Sequence, residues 1–143
     1  MATPYGYRYG DRQIIDLPLD STSADIGADA IAITDSGATT AFVKEVDGSG
    51  ERVIGFSVNK VDSPSADGGA SVNVDVSYAS VYEFPPDAGT VTVDLVGKTC
   101  DIGADGKSIN IDASADDSIQ IVDVDTVANT CFVRLATSKA TSI

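Results

Sequence analysis

Sixteen valines and twelve isoleucines stand against four leucines in this chain, with one methionine and no tryptophan. β-Branched side chains lose rotamer freedom in a helix but fit the pleated face of a sheet. The vocabulary therefore predicts an all-β body. No window of a dozen residues spaces its apolar positions at three and four, so any helix should be a single turn. The apolar residues come in short runs punctuated by Gly, Asp, Ser and Pro, the pattern of short antiparallel strands in a β-sandwich or β-barrel.

Ala30 to Thr34 reads as a strand that turns at Asp35-Ser36-Gly37. Ala41 to Val46 and Arg52 to Asn59 flank Asp47-Gly48-Ser49-Gly50, whose glycines supply the positive-φ positions of a hairpin. The breakers of Asp62 to Gly69 predict an exposed, mobile tip. Between Ser71 and Tyr78 the alternation is the cleanest in the sequence: Val72, Val74, Val76 and Tyr78 share a buried face, and Ser71, Asn73, Asp75 and Ser77 a wet one. Thr90 to Val96, Ser108 to Asp112, Ser118 to Asp125 and Thr130 to Ala136 complete the expected strands.

Three segments differ in texture. Residues 1–20 read as an extended N-terminal arm, because three of the five tyrosines, Tyr5, Tyr7 and Tyr9, alternate there with Gly6 and Arg8. Arg8 and Arg12 against Asp11 leave residues 1–13 at +1 and the remainder at −14. Residues 21–136 are the all-β body, and 137–143 a small, polar, flexible tail. Pro85-Pro86 is either a corner between sheets or a hinge at which two lobes meet. The pentapeptide Asp25-Ile26-Gly27-Ala28-Asp29 recurs as Asp101-Ile102-Gly103-Ala104-Asp105, each before an Ile-x-Ile pair, so the body is a candidate for an internal duplication.

Charge and chemistry narrow the function. With a net charge of −13, the chain repels phosphate backbones and anionic headgroups, and neither nucleic acid nor a membrane surface is an expected partner. Histidine is absent, which removes the commonest general base and every nucleophile-histidine triad. The N-terminal stretch carries no apolar leader segment, and a soluble protein made in the cytosol is expected. Cys100 and Cys131 lack zinc-site spacing and read as two small buried hydrophobes, candidate cross-strand neighbours.

Asp101, Asp105, Gly106 and Asp112 mimic part of a calcium loop, but Gly103 replaces a ligand and the helical flanks are missing, so a turn with Asp side chains on neighbouring N–H groups is expected. Asp116-Asp117 and Asp123/Asp125 read as solvated charges and not as an acid–base pair. No metal, cofactor or catalytic residue is expected. Tyr5, Tyr7, Arg8, Tyr9 and Arg12 remain as the candidate contact set, since Tyr and Arg are enriched where proteins meet. Residues i, i+2 and i+4 of a strand share a face, so the three tyrosines would line one side of the arm, either against a partner or over the protein's own sheet.

The run Arg52-Val-Ile-Gly-Phe-Ser-Val58, a Gly-rich loop, then Val72-Asn-Val-Asp-Val76 leading into Val81-Tyr-Glu-Phe84 resembles the small decoration, or cement, proteins of tailed-bacteriophage capsids. The likeness extends in texture over residues 40 to 136. It implies a non-enzymatic β-rich protein on the outer surface of the virion, a homotrimer that bridges subunits of the major capsid protein. The competing reading is a carbohydrate-binding or adhesin-like β-sandwich of a phage fibre or surface protein. An enzyme comes third, limited to Asp, Ser or Lys chemistry.

Overall fold

The computed structural model describes residues 5–23, 25–26, 31–35, 42–47, 52–112 and 118–136. The described residues form eleven strands: β1 Gly6–Tyr9, β2 Ile14–Pro18, β3 Ala32–Asp35, β4 Val43–Glu45, β5 Gly55–Ser57, β6 Ser71–Asp75, β7 Val81–Phe84, β8 Thr99–Ile102, β9 Ile109–Asn110, β10 Ile119–Asp125 and β11 Thr130–Leu135. The only helix among the described residues is a single 3₁₀ turn, Val93–Leu95. The all-β expectation holds, with two antiparallel sheets packed together. One has the order β1-β7-β11-β10-β8-β9 and the other β2-β6-β5-β3-β4.

Each sheet curls back on itself. In the five-stranded sheet the continuation of β2 at Leu19 bridges Val43 of β4 in parallel, with the Asp20 N–H donating to the Val43 carbonyl at 2.7 Å. In the six-stranded sheet the continuation of β7 at Pro86 bridges Ile109 of β9 in parallel, with the Asp87 N–H donating to the Ile109 carbonyl at 2.8 Å. Pro85-Pro86 is thus the closure of a barrel: the Ile109 N–H bonds the Pro85 carbonyl at 3.0 Å, and strands from both sides of the prolines share one sheet. The result is two small barrels, β2–β6 and β7–β11, with β1 laid on the outside of β7.

The barrels are built to the same plan. Strands taken in chain order as first to fifth neighbour one another as first-fifth-fourth-second-third in both, and in both the third strand meets the continuation of the first. The registers correspond as well. Ile15 faces Val74 and Leu17 faces Val72 in the first barrel, as Tyr82 faces Val133 and Phe84 faces Cys131 in the second. Ala32 faces Phe56 as Thr99 faces Gln120, and Asp35 faces Val43 as Ile102 faces Ile109. Even a polar detail repeats: the Ser71 hydroxyl bonds Asp16, and the Thr130 hydroxyl bonds Glu83.

The pentapeptide echo does not mark this equivalence. Its first copy lies ahead of β3, partly outside the described residues, whereas its second straddles the end of β8, the counterpart of β3. The equivalent positions keep little residue identity: Ile15 and Tyr82, or Val43 and Ile109, are both apolar, whereas Phe56 corresponds to Gln120 and Asp35 to Ile102.

Alternating faces fill the interiors. Leu19, Ile26, Ile31, Ile33, Val43, Val72 and Val74 form the first core. Cys100, Ile102, Ile109, Ile119, Ile121, Cys131, Val133 and Leu135 fill the second, which continues through Tyr82 and Phe84 onto Phe56, Ala32 and Val46 of the first barrel. The Phe56 ring stacks on Tyr82 with centroids 4.3 Å apart, and the Ala32 N–H reaches across to the Gly106 carbonyl at 2.9 Å. Gly106 has φ +70°, and a Cβ there would press to 3.2 Å from Ile31, so glycine is what lets the barrels approach.

Several sequence expectations are corrected. Ala41–Val46 and Arg52–Asn59 do not pair as a hairpin, because β3 lies between β4 and β5 and bonds both. With β3 antiparallel to both, β4 and β5 run parallel to each other, so the chain crosses over between them instead of reversing into a hairpin. Thr90–Val96 is no strand: it carries the 3₁₀ turn, with Val93 and Val96 exposed. Cys100 and Cys131 are both buried but are not cross-strand neighbours, since β10 runs between β8 and β11. The expected turn at Ser36-Gly37, the pair Asp116-Asp117 and the tail 137–143 lie outside the described residues.

The Asp62–Gly69 loop is exposed for most of its length, and is tied at its end. Asp67 accepts the Ser21 N–H and hydroxyl, at 2.9 and 2.8 Å, and the Gly68 N–H bonds the Leu19 carbonyl at 2.9 Å.

Candidate functional site

The chain passes between the barrels twice, at residues 10–13 and 76–80, and the two passages are fastened together. The Ser77 hydroxyl donates to the Asp11 carbonyl at 2.6 Å, and the Val76 N–H to the Gln13 carbonyl at 2.8 Å. Gly10 has φ +100°, and a Cβ on it would lie 2.2 Å from the Ala79 carbonyl oxygen, so no other residue fits unstrained.

At the centre sits Asp75, 0% exposed. The alternation that was to leave it wet fails, because β6 ends at this residue and the second barrel covers it. One carboxylate oxygen accepts the N–H groups of Gln13 at 3.0 Å and Ser77 at 3.1 Å; the other takes the Tyr82 hydroxyl at 2.8 Å and faces Arg12 Nε at 3.5 Å. Burial by itself raises the Asp75 pKa, but hydrogen bonds from Ser80, Gln13, Tyr82 and Ser77 outweigh it and hold the carboxyl below its ordinary value. Burial and the bond to Asp75 keep the Tyr82 phenol protonated far above its usual range. A charge held this way is a structural rivet, with its lone pairs consumed inside the protein.

The predicted contact residues surround this rivet, and most are spent on the protein itself. Tyr5 stacks on Phe84 at 6.2 Å, and Tyr7 meets Tyr82 edge-on at 5.6 Å while its hydroxyl bonds the Gly10 carbonyl at 2.6 Å. Arg12 lies over the Tyr7 ring, 4.4 Å from its centroid. Arg8 Nε bonds Glu83 at 2.8 Å. The three tyrosines do not share one face: the pairing of β1 with β7 slips between Tyr7 and Tyr9, and Tyr9 is left 52% exposed.

The structure also exposes Ile14, at 48%, and Ile15, at 40%, which the sequence reading passed over, and Tyr78, at 44%, which the alternation placed on the buried face; β6 ends at Asp75, so the alternation no longer holds at Tyr78. All three adjoin the crossing, since Ile14 and Ile15 pair with Asp75 and Val74, and Tyr78 follows Ser77. A signal was available in the Ile14-Ile15 doublet: adjacent residues of a strand point to opposite faces, so one of the two must leave the core.

The outer side of β2 is also an unpaired edge among the described residues. The Leu19 N–H bonds the Ala70 carbonyl towards β6. By the alternation of an antiparallel ladder, Leu17 and Ile15 point their main-chain groups the same way, and Ile14 and Asp16 present theirs outward.

Comparison with family models, curated proteins and solved structures gives no match. The site is read from its own geometry. Elsewhere on the surface, a cleft of about 370 Å³ lies between Tyr5, Pro86, Asp87, Asp105, Lys107 and Ser108. Asp105 is engaged within its own turn, accepting the Lys107 N–H at 3.0 Å and the Ser108 hydroxyl at 2.8 Å, and Asp101 is buried in β8. Among the described residues no three carboxylates or thiols gather as metal ligands. Asp125 accepts the N–H groups of Val127 and Ala128, both at 3.0 Å, within the β10–β11 turn.

Proposed function

We propose that this protein is a non-enzymatic structural protein that binds the outer surface of a phage capsid and fastens neighbouring major capsid protein subunits. The observation that carries the reading is the exposure of Ile14 and Ile15 on an open sheet edge, with Tyr9 and Tyr78 exposed on the segments that flank the crossing, in a strongly acidic, two-barrel body. Water-facing isoleucines beside unpaired main-chain groups are a liability for a lone protein and an asset for one that docks. The acidic remainder suits the solvent side of a virion and not the side that meets DNA. The resemblance of residues 40 to 136 to capsid cement proteins points the same way.

Binding of this kind acts by mass action. A protein that binds only the assembled shell stabilises it by RT ln(1 + [L]/Kd) at every site, and many sites multiply the gain. The test is co-sedimentation with expanded and with precursor heads, alongside light scattering for the trimer. Pelleting with expanded heads alone supports the reading; failure to pellet with either refutes it.

A second reading, a carbohydrate-binding module, is favoured by the cleft between Tyr5, Asp87 and Asp105, which sets a ring beside carboxylates. A glycan array without hits would remove it.

A further inference from the structure

We infer that the open edge of β2 receives an extended strand from a partner protein, antiparallel to Ile14–Asp16, with an aromatic or aliphatic residue over Ile15 and a lysine or arginine beside Asp16. From the proposed function it takes only that this region is a contact surface. What identifies the occupant is the protein's own second barrel.

The two barrels correspond strand by strand, so each position on β2 has a counterpart on β7: Ile14 with Val81, Ile15 with Tyr82, Asp16 with Glu83 and Leu17 with Phe84. On β7 that edge is occupied. β1 lies against it with Gly6 opposite Glu83 and Tyr7 opposite Tyr82. Val81 is 5% exposed, and Tyr82 and Phe84 are 0%. On β2 the same edge has nothing beside it among the described residues, and Ile14 and Ile15 stand 48% and 40% exposed. Strand addition is the recognition mode such an edge provides, with main-chain bonds giving affinity and alternate side chains specificity.

The side-chain chemistry carries over too. In the second barrel Glu83 accepts a hydroxyl from Thr130 on one oxygen and the Arg8 guanidinium on the other, at 2.8 Å. In the first, Asp16 accepts the Ser71 hydroxyl at 3.1 Å on Oδ2, and no arginine is supplied by a described residue. A net charge of −13 disfavours a second copy and favours a basic segment of a different chain.

The chain's own arm is the natural probe. A synthetic peptide of residues 4–13 is titrated against the full-length protein, with binding followed by fluorescence anisotropy and by hydrogen exchange at the Ile14 and Asp16 amides. Saturable binding with protection of both amides is expected. A peptide N-methylated at its Gly6 position should bind at least about tenfold more weakly, because it loses a ladder bond without any change to the protein. Asp16→Pro should have the same effect, since proline removes an outward N–H that the folded protein does not use. Asp16→Asn should weaken binding by about two- to fivefold at low salt.

No binding, protection elsewhere, or equal affinity for the N-methylated peptide overturns the inference. Self-association of the full chain that Asp16→Pro abolishes overturns the assignment to a different partner. The capsid reading fails separately. Peptide binding by a protein that ignores phage heads sinks that reading alone, whereas equal pelleting of wild type and Asp16→Pro with expanded heads sinks the strand and spares the capsid.

Discussion

Asp75 has all of its capacity spent inside the protein: two main-chain N–H groups, the Tyr82 hydroxyl and the Arg12 guanidinium converge on one buried carboxylate. Tyr82→Phe removes the hydroxyl that serves both Asp75 and Arg12, and should cost about 2 kcal/mol in urea denaturation. Asp75→Ala strands more donors and should cost about 3 kcal/mol. Because the folded pKa of Asp75 lies below its unfolded value, its stabilisation is fully present above the ordinary aspartate pKa of about 3.9 and is lost as pH falls through the folded value. An acid titration of stability should therefore be shallower in Asp75→Asn than in the wild type. The cysteines report burial in another way. Burial pushes the Cys131 thiol up to about 11, so it should stay unlabelled by maleimide until the protein unfolds. In the first barrel its counterpart is Val72 and that of Cys100 is Ile33, which is why two cysteines without a shared task sit where they do.

Among the elements, β1 behaves as part of the second barrel and not as a free arm. Its tyrosines cover Tyr82 and Phe84, so deletion of residues 1–9 should lower stability by at least about 3 kcal/mol, with a matching loss of the denaturation midpoint. Gly10→Val should act in the same direction without shortening the chain, through its φ of +100° and the clash with Ala79. Much of this level was legible in the residues. The excess of Val and Ile predicts sheets, and the alternation through Val72 and Val74 locates a buried face. That same alternation says nothing of Asp75, whose burial depends on a barrel that begins several residues later in the chain. Nor do the turn residues around Gly48 and Gly50 reveal that β3 will lie between β4 and β5 and leave those two parallel, because turn chemistry is local and strand order is not. The correspondence between the two barrels resides in pairing registers, which Val43 and Ile109, or Asp16 and Glu83, preserve by character alone, and not in identical residues. The alternating tyrosines could not show that Tyr5 and Tyr7 would be taken up by Phe84 and Tyr82 of their own chain. The Ile14-Ile15 doublet held a signal of exposure that the reading did not use.

For the whole molecule, a shared aromatic contact between Phe56, Tyr82 and Phe84, together with the fastened double crossing, couples the barrels. Urea unfolding followed by tyrosine fluorescence and by circular dichroism should give one coincident transition, and Asp75→Ala should separate the two probes. Self-repulsion of the acidic body predicts that raising ionic strength moves the transition to higher urea. The path of the chain has a further implication. Both β1 and β11 belong to the second barrel, so β2–β6 are an insertion written into the β1–β7 hairpin, entered after Tyr9 and left just before Val81, which are register partners. A two-residue Asn-Gly turn joining those partners would excise the entire first barrel while every strand of the second kept its neighbours. The molecule is thus a host with a lodger of its own design, and the lodger holds the vacant edge.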